Sequence, residues 1–173
     1  GIGAIILASD DPETIERFAT EVAPALRAEA ERAFPEGHFG VRIRRAAARA
    51  RRHPGIDYDA VPPSLVDVAI EPGDTEYARV RSTYMRGGSP GIVLPVSSVE
   101  QVIDALAFAR AHPHVPLSIR SGGHGISGRS TNDGGIVIDL GRMNRIEVLD
   151  PVARRVRLGP GARWGDVAAA LAP

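Results

Sequence analysis

The chain has no cysteine and no lysine. Without cysteine there are no disulfides, no thiolate metal sites and no cysteine nucleophile. That composition suits a reducing compartment, and a cytoplasmic location is expected. All 21 lysine-or-arginine positions are arginine. Schiff-base chemistry and the lysine of a nucleoside-triphosphate loop are therefore excluded from this chain. Net charge is zero, so nothing draws the whole chain toward nucleic acid or an anionic membrane, and neither is an expected partner. No apolar run reaches the roughly 20 residues of a membrane span. The opening "GIGAIILASDDPE" has no basic residue ahead of its apolar run, which does not fit a secretory signal. What is present is enough chain, at 173 residues, for one domain with a real core, and 19 glycines and 14 prolines to turn it.

The apolar run at residues 3–8 reads as a buried strand. A helix follows: Asp10 or Asp11 caps it, Pro12 suits its first turn, and Ile15, Phe18, Val22 and Leu26 form a stripe until Pro24 kinks or restarts it. Residues 35–74 read as a linker that is turn-rich and, through "VRIRRAAARARRHPG", rich in arginine. Arg42, Arg45, Arg49 and Arg52 would share a helical face, which leaves open an arginine-rich interaction segment. From residue 75 the pattern alternates. "GIVLP" (91–95) and "PLSIR" (116–120) read as strands around a helix capped at Ser97 or Ser98, with Val99, Val102, Ile103, Leu106 and Ala109 facing a core. "GIVIDL" (135–140), "RIEVLD" (145–150) and "RRVRLG" (154–159) then read as an antiparallel run, and "GARWGDVAAALAP" opens a last helix. The fold class is α+β: a β-α-β start followed by antiparallel strands.

The loop "SIRSGGHGISGRS" (118–130) is the strongest chemical signal. Gly123, Gly125 and Gly128 make a G-x-G-x-x-G, but no helix follows and Asp139 arrives too early for a dinucleotide fingerprint. Arg129 stands near where a nucleoside-triphosphate loop needs lysine, and the two are not interchangeable. Gly122, Gly123, Gly125 and Gly128 could still take positive φ and gather backbone N–H groups around an anion, with Arg120 and Arg129 adding charge. An ordinary glycine-rich turn stays equally open on composition. His124, flanked by glycines, has no obvious packing task. His112 and His114 flank Pro113 without a third ligand nearby, and read as surface residues.

The motifs "IVLPVSSVEQVIDALAFAR", "PLSIRSGGHGISGRSTNDGGIVIDL" and "RVRLGPGARWGDV" resemble, in order and spacing, the FAD-binding (PCMH-type) domain of the vanillyl-alcohol-oxidase superfamily. The nearest resemblance is to its berberine-bridge-enzyme-like oxidases, over about residues 75–173. It implies that the loop carrying Arg120, Ser121, Gly122, Gly123, Gly125, Ser127 and Gly128 wraps the FAD diphosphate. His124 matches the histidine bonded through its ring to the flavin 8-methyl carbon. Gly161 and Trp164 would line a later part of the cofactor site, with Leu140 and Met143 near it. The implied reaction is hydride transfer from a small-molecule alcohol, sugar or amine to flavin N5, with oxygen as acceptor. No catalytic base is carried over, and the chain is expected to be a fragment that is inactive alone. Residues 1–34 resemble the C-terminal strand and helix of luciferase-like flavin-dependent monooxygenases, implying a fused two-enzyme protein. Two other readings are a non-catalytic or degenerate flavin-binding module and an arginine-rich interaction protein.

Overall fold

A computed structural model describes residues 11–26, 28 and 46–172. The chain divides into two compact units, Gly1–Ile43 and Arg44–Pro173. In the first, helix α1 (Pro12–Arg17) begins as its sequence predicts: the Asp11 carboxylate accepts the Thr14 N–H at 3.0 Å, and Pro12 opens the first turn. The helix then widens over Phe18–Val22, where the Ala23 N–H reaches back to the Phe18 carbonyl. Pro24 brings no N–H and crowds the carbonyl one turn back, so the helix loosens rather than stops. The strand expected at residues 3–8 lies outside the described residues.

The second unit is built on a parallel sheet of β1 (Ile92–Pro95), β2 (Leu117–Arg120) and β3 (Ile136–Asp139), in the order β1-β3-β2. β3 was expected to start an antiparallel run. Instead it lies in the middle, with Ile138 opposite both Leu94 and Ile119. Ile136, Val137 and Ile138 are all at most 1% exposed, as a strand covered on both faces requires. An unbroken apolar run cannot announce its partners, because pairing is a long-range choice. Only β4 (Ile146–Asp150) and β5 (Arg155–Leu158) form the antiparallel hairpin. Its turn is held by Asp150 Oδ1, which accepts the N–H groups of Val152 and Ala153 at 3.0 and 2.8 Å.

The long helix between β1 and β2 spans Val99–Arg110. Ser98 caps it, and the Gln101 side chain reaches back to the Ser97 N–H at 2.8 Å. Ala105, Phe108 and Ala109 are buried, with Val102 and Leu106 beside them. Val99 and Ile103, expected inward, are 60% and 61% exposed, because the buried stripe runs along the adjacent i, i+3, i+4 rows.

The expected linker is the main correction. From residue 44 onward it belongs to the second unit. Ile56, Tyr58, Val61, Leu65 and Ala69 sit in the same buried cluster as Ile92, Leu94, Phe108 and Ile136. The Tyr58 hydroxyl accepts from the His53 N–H and donates to the Gly91 carbonyl, both at 2.9 Å. Arg52 grips the buried Glu71 through Nε and Nη2 at 2.7 and 3.2 Å, with its guanidinium 4.6 Å over the Tyr58 ring. His112 is also buried: its Nε2 accepts the Asp57 N–H at 2.9 Å, and its Nδ1 lies 2.7 Å from the Phe108 carbonyl. The ring is thus held as the neutral Nδ1–H form. These apolar residues fall between turns with no regular period, so local pattern reads them as linker.

Candidate functional site

The three parallel strands end together. Pro95, Arg120 and Asp139, their last residues, line one cleft of about 450 Å³. Its other walls come from loops and short helices: Glu76, Arg79 and Val80, then Ser82–Tyr84, Ser121–Gly123, Gly141, Arg142 and Arg163. A crevice outside the carboxyl ends of parallel strands is where open sheets of this kind bind ligands.

Ser121, Gly122 and Gly123, all expected site residues, line the cleft. Gly123 and Gly128 take φ of +73° and +67°, the left-handed region that side chains disfavour. Gly122 and Gly125 do not, so two of the four glycines supply the conformation expected of all. Among the described residues, the backbone N–H groups of Gly122, Gly123, His124 and Gly125 meet no protein acceptor. Four successive amides left free beside a cleft are a ready donor set for an anion. The far end of the loop is tied down. Arg86 reaches the Gly128 carbonyl and Asp133 at 3.4 Å each, and Thr131 donates to the Arg81 carbonyl at 2.7 Å. The Ser89 hydroxyl and N–H hold the Asp133 carboxyl below its ordinary value.

His124 is exposed on this loop, with its ring centroid 5.8 Å from that of Tyr84. Gly125 and Ser127 are exposed beside it. Gly161 serves by closeness: a Cβ there would come within 2.3 Å of the Leu140 carbonyl oxygen and 2.7 Å of that of Gly141. It lets the segment before the last helix (Trp164–Leu171) press against the loop after β3. Leu140 and Met143 pack against the core. Trp164 is 80% exposed and does not line the cleft; Arg163, one residue earlier, does.

Arg120 is where the structure differs most from expectation. It was expected to offer charge to a ligand, yet it is 6% exposed. Nη2 and Nε both donate to Asp139 Oδ2, at 2.5 and 3.2 Å, and Nη1 donates to the Val80 carbonyl. Asp139 Oδ1 in turn accepts the Gly141 N–H at 2.9 Å. The pair ties the ends of β2 and β3 to each other, to Val80 at the end of the helical turn Tyr77–Val80, and to Gly141. Sequence reading missed Arg79, Arg142 and Arg163 as cleft residues; the glycine neighbours of Arg142, and of Gly161 near Arg163, were the only signal. Among the described residues, no His, Cys, Asp or Glu cluster could hold a metal, and no helix is long and apolar enough to cross a membrane.

A cleft with glycine amides, free arginines and close backbone approach defines a candidate site for a cofactor bearing a diphosphate. Residues 90–173 match the family model described as FAD binding domain. The (R)-6-hydroxynicotine oxidase of Paenarthrobacter nicotinovorans is 33% identical over 110 residues, spanning 62% of this chain and 24% of that protein. The crystal structure of 6-hydroxy-D-nicotine oxidase from Arthrobacter nicotinovorans is similar with a TM-score of 0.58 and 32% identity, over 65% of this chain and 25% of that one. Wild-type BBE-like 1 of Physcomitrella patens matches with a TM-score of 0.54 and 26% identity, over 60% and 23%. The chain thus spans about a quarter of the length of these relatives.

Proposed function

We propose that this chain carries the FAD-binding part of an FAD-linked oxidase. The observation that supports it is the run of amides from Gly122 to Gly125, free among the described residues, which starts at Gly122 and Gly123 on the wall of the cleft at the strand ends. Those amides would hold the diphosphate. Leu140, Met143 and Gly161 would support the wall beside it. His124, exposed on the loop with its ring 5.8 Å from that of Tyr84, would be the residue bonded to the flavin. When bound, FAD supplies a hydride acceptor at N5 for a small-molecule alcohol, sugar or amine, with oxygen taking the electrons afterwards. The residues of this chain bind and orient; the substrate pocket and a base to take the substrate proton are not assigned to any of them. Residues 1–34 are read as the end of a luciferase-like monooxygenase fused ahead of this domain.

The test is acid precipitation of the purified, flavin-loaded full-length protein. Flavin should stay with the unmutated protein in trichloroacetic acid and leave the His124→Ala variant. If the unmutated protein releases all of it, His124 is not a covalent anchor. If the protein purifies without flavin and takes up none when FAD is added, the flavin reading itself fails.

A further inference from the structure

Four arginines line the cleft, and they are not alike. Arg120 is spent internally on Asp139 and the Val80 carbonyl. Arg79, Arg142 and Arg163 all line the cleft and are exposed. Among the described residues none of the three has an ion pair or a side-chain hydrogen bond, whereas Arg52, Arg86, Arg155 and Arg157 elsewhere in the unit each have an acidic partner. The acidic lining residues are Glu76 and Asp139, and Asp139 is already neutralised by Arg120. The cleft therefore carries an excess of uncompensated positive charge in a chain whose net charge is zero. A guanidinium offers a planar fork that matches phosphate oxygens, and such bonds are the stronger, charge-assisted kind.

We infer that Arg142 and Arg163, together with Arg79, supply the side-chain contacts to the diphosphate, and that Arg120 does not touch it. This rests on the flavin reading above and assigns residues to it. Arg142 follows Gly141, whose amide is fixed by Asp139, and Arg163 follows the close approach of Gly161 to the Leu140 carbonyl. The Arg120–Asp139 pair thus presents the arginines without being one of them. The division of labour has a physical reason. A charge at the cleft floor that was free when the cleft was empty would be buried unpaired, which is costly. Exposed arginines on the walls are solvated until an anion arrives.

The experiment uses the full-length protein in the His124→Ala background, so that flavin exchanges freely. Affinities for FAD and for riboflavin, which has no diphosphate, are measured by flavin fluorescence at low and high salt. Arg142→Gln and Arg163→Gln should each weaken FAD binding about tenfold, by loss of one charge-assisted bond. Both should flatten its salt dependence and leave riboflavin affinity unchanged. Arg120→Gln should instead lower thermal stability and weaken both ligands alike. Unchanged FAD affinity in Arg142→Gln and Arg163→Gln would overturn the inference while leaving FAD binding intact. Equal loss of FAD and riboflavin in those variants would overturn it too, since the arginines would then shape the cleft rather than hold phosphate. If the background protein binds neither flavin, the inference falls together with the reading it rests on.

Discussion

At the scale of the residue, Gly123 and Arg120 do different jobs within three positions of one another. Gly123 has φ +73° and open surroundings: a Cβ would meet only the Arg120 Cδ at 3.5 Å and Thr83 methyl and Cβ atoms at 3.8 Å. What forbids a side chain there is backbone conformation, at roughly 1–3 kcal/mol for a β-branched residue. Gly123→Val should therefore fold yet load no flavin, because the loop relaxes and its amides turn from the cleft. His124→Ala should keep non-covalent flavin. Absorbance of the two purified variants in the flavin bands separates them, and normal loading of Gly123→Val would remove the loop from the diphosphate. Arg120 is the opposite case. Arg120→Met leaves the half-buried Asp139 carboxylate without its partner; a fully buried break costs about 3–5 kcal/mol, so about 2–3 kcal/mol is expected here. The expected result is a clearly lowered urea midpoint. Adding Asp139→Leu should restore much of it, because removing both charges also removes the stranded one.

At the scale of the element, the informative piece is the stretch from Arg52 to Glu71. It contains only short helical turns, including Tyr58–Ala60 and Pro63–Val66, so its order comes from docking rather than propensity. The docking points are specific: Tyr58 on the Gly91 carbonyl, Asp57 on His112, Ser64 on Asp104 at 2.5 Å, and Gln101 on the Ser64 carbonyl at 2.8 Å. Gly91 leads directly into β1, so this stretch braces the strand whose end forms the cleft. Burial raises the Tyr58 hydroxyl above its ordinary value, and the phenol stays neutral as both donor and acceptor. Tyr58→Phe leaves the His53 N–H and the Gly91 carbonyl without partners. It should destabilise the protein by about 1–3 kcal/mol, read from chemical denaturation. A change below a few tenths of that would mean the stretch is not part of the cooperative unit.

At the scale of the whole molecule, a ligand that binds only the folded state adds stability by mass action. If the cleft takes FAD, FAD at a hundredfold excess over its dissociation constant should raise the stability of the His124→Ala protein by about 2.7 kcal/mol. Gly123→Val should show no thermal shift. An unmutated cleft indifferent to FAD would contradict the proposed function directly.

The local elements and the glycine loop were legible in the sequence. The five described strands fall within one or two residues of their expected places, and the helix Val99–Arg110 starts at its expected serine cap. Asp11, Ser98 and Asp150 cap or turn where short polar side chains should. The glycine loop with its histidine was legible because those residue types at that spacing have few structural reasons to coincide. Long-range contacts set the rest. β3 takes the middle of a parallel sheet, residues 56–71 are core and not linker, and His112 is buried. Arg120 is an internal strut, while Arg79, Arg142 and Arg163 face the cleft. Each of these depends on a partner far away in the chain: Asp139 for Arg120, Asp57 for His112, Gly91 for Tyr58. Periodicity and capping report what a residue does with its near neighbours. Whether an arginine is free to meet a ligand depends on a carboxylate 19 positions on, and no local pattern carries that information.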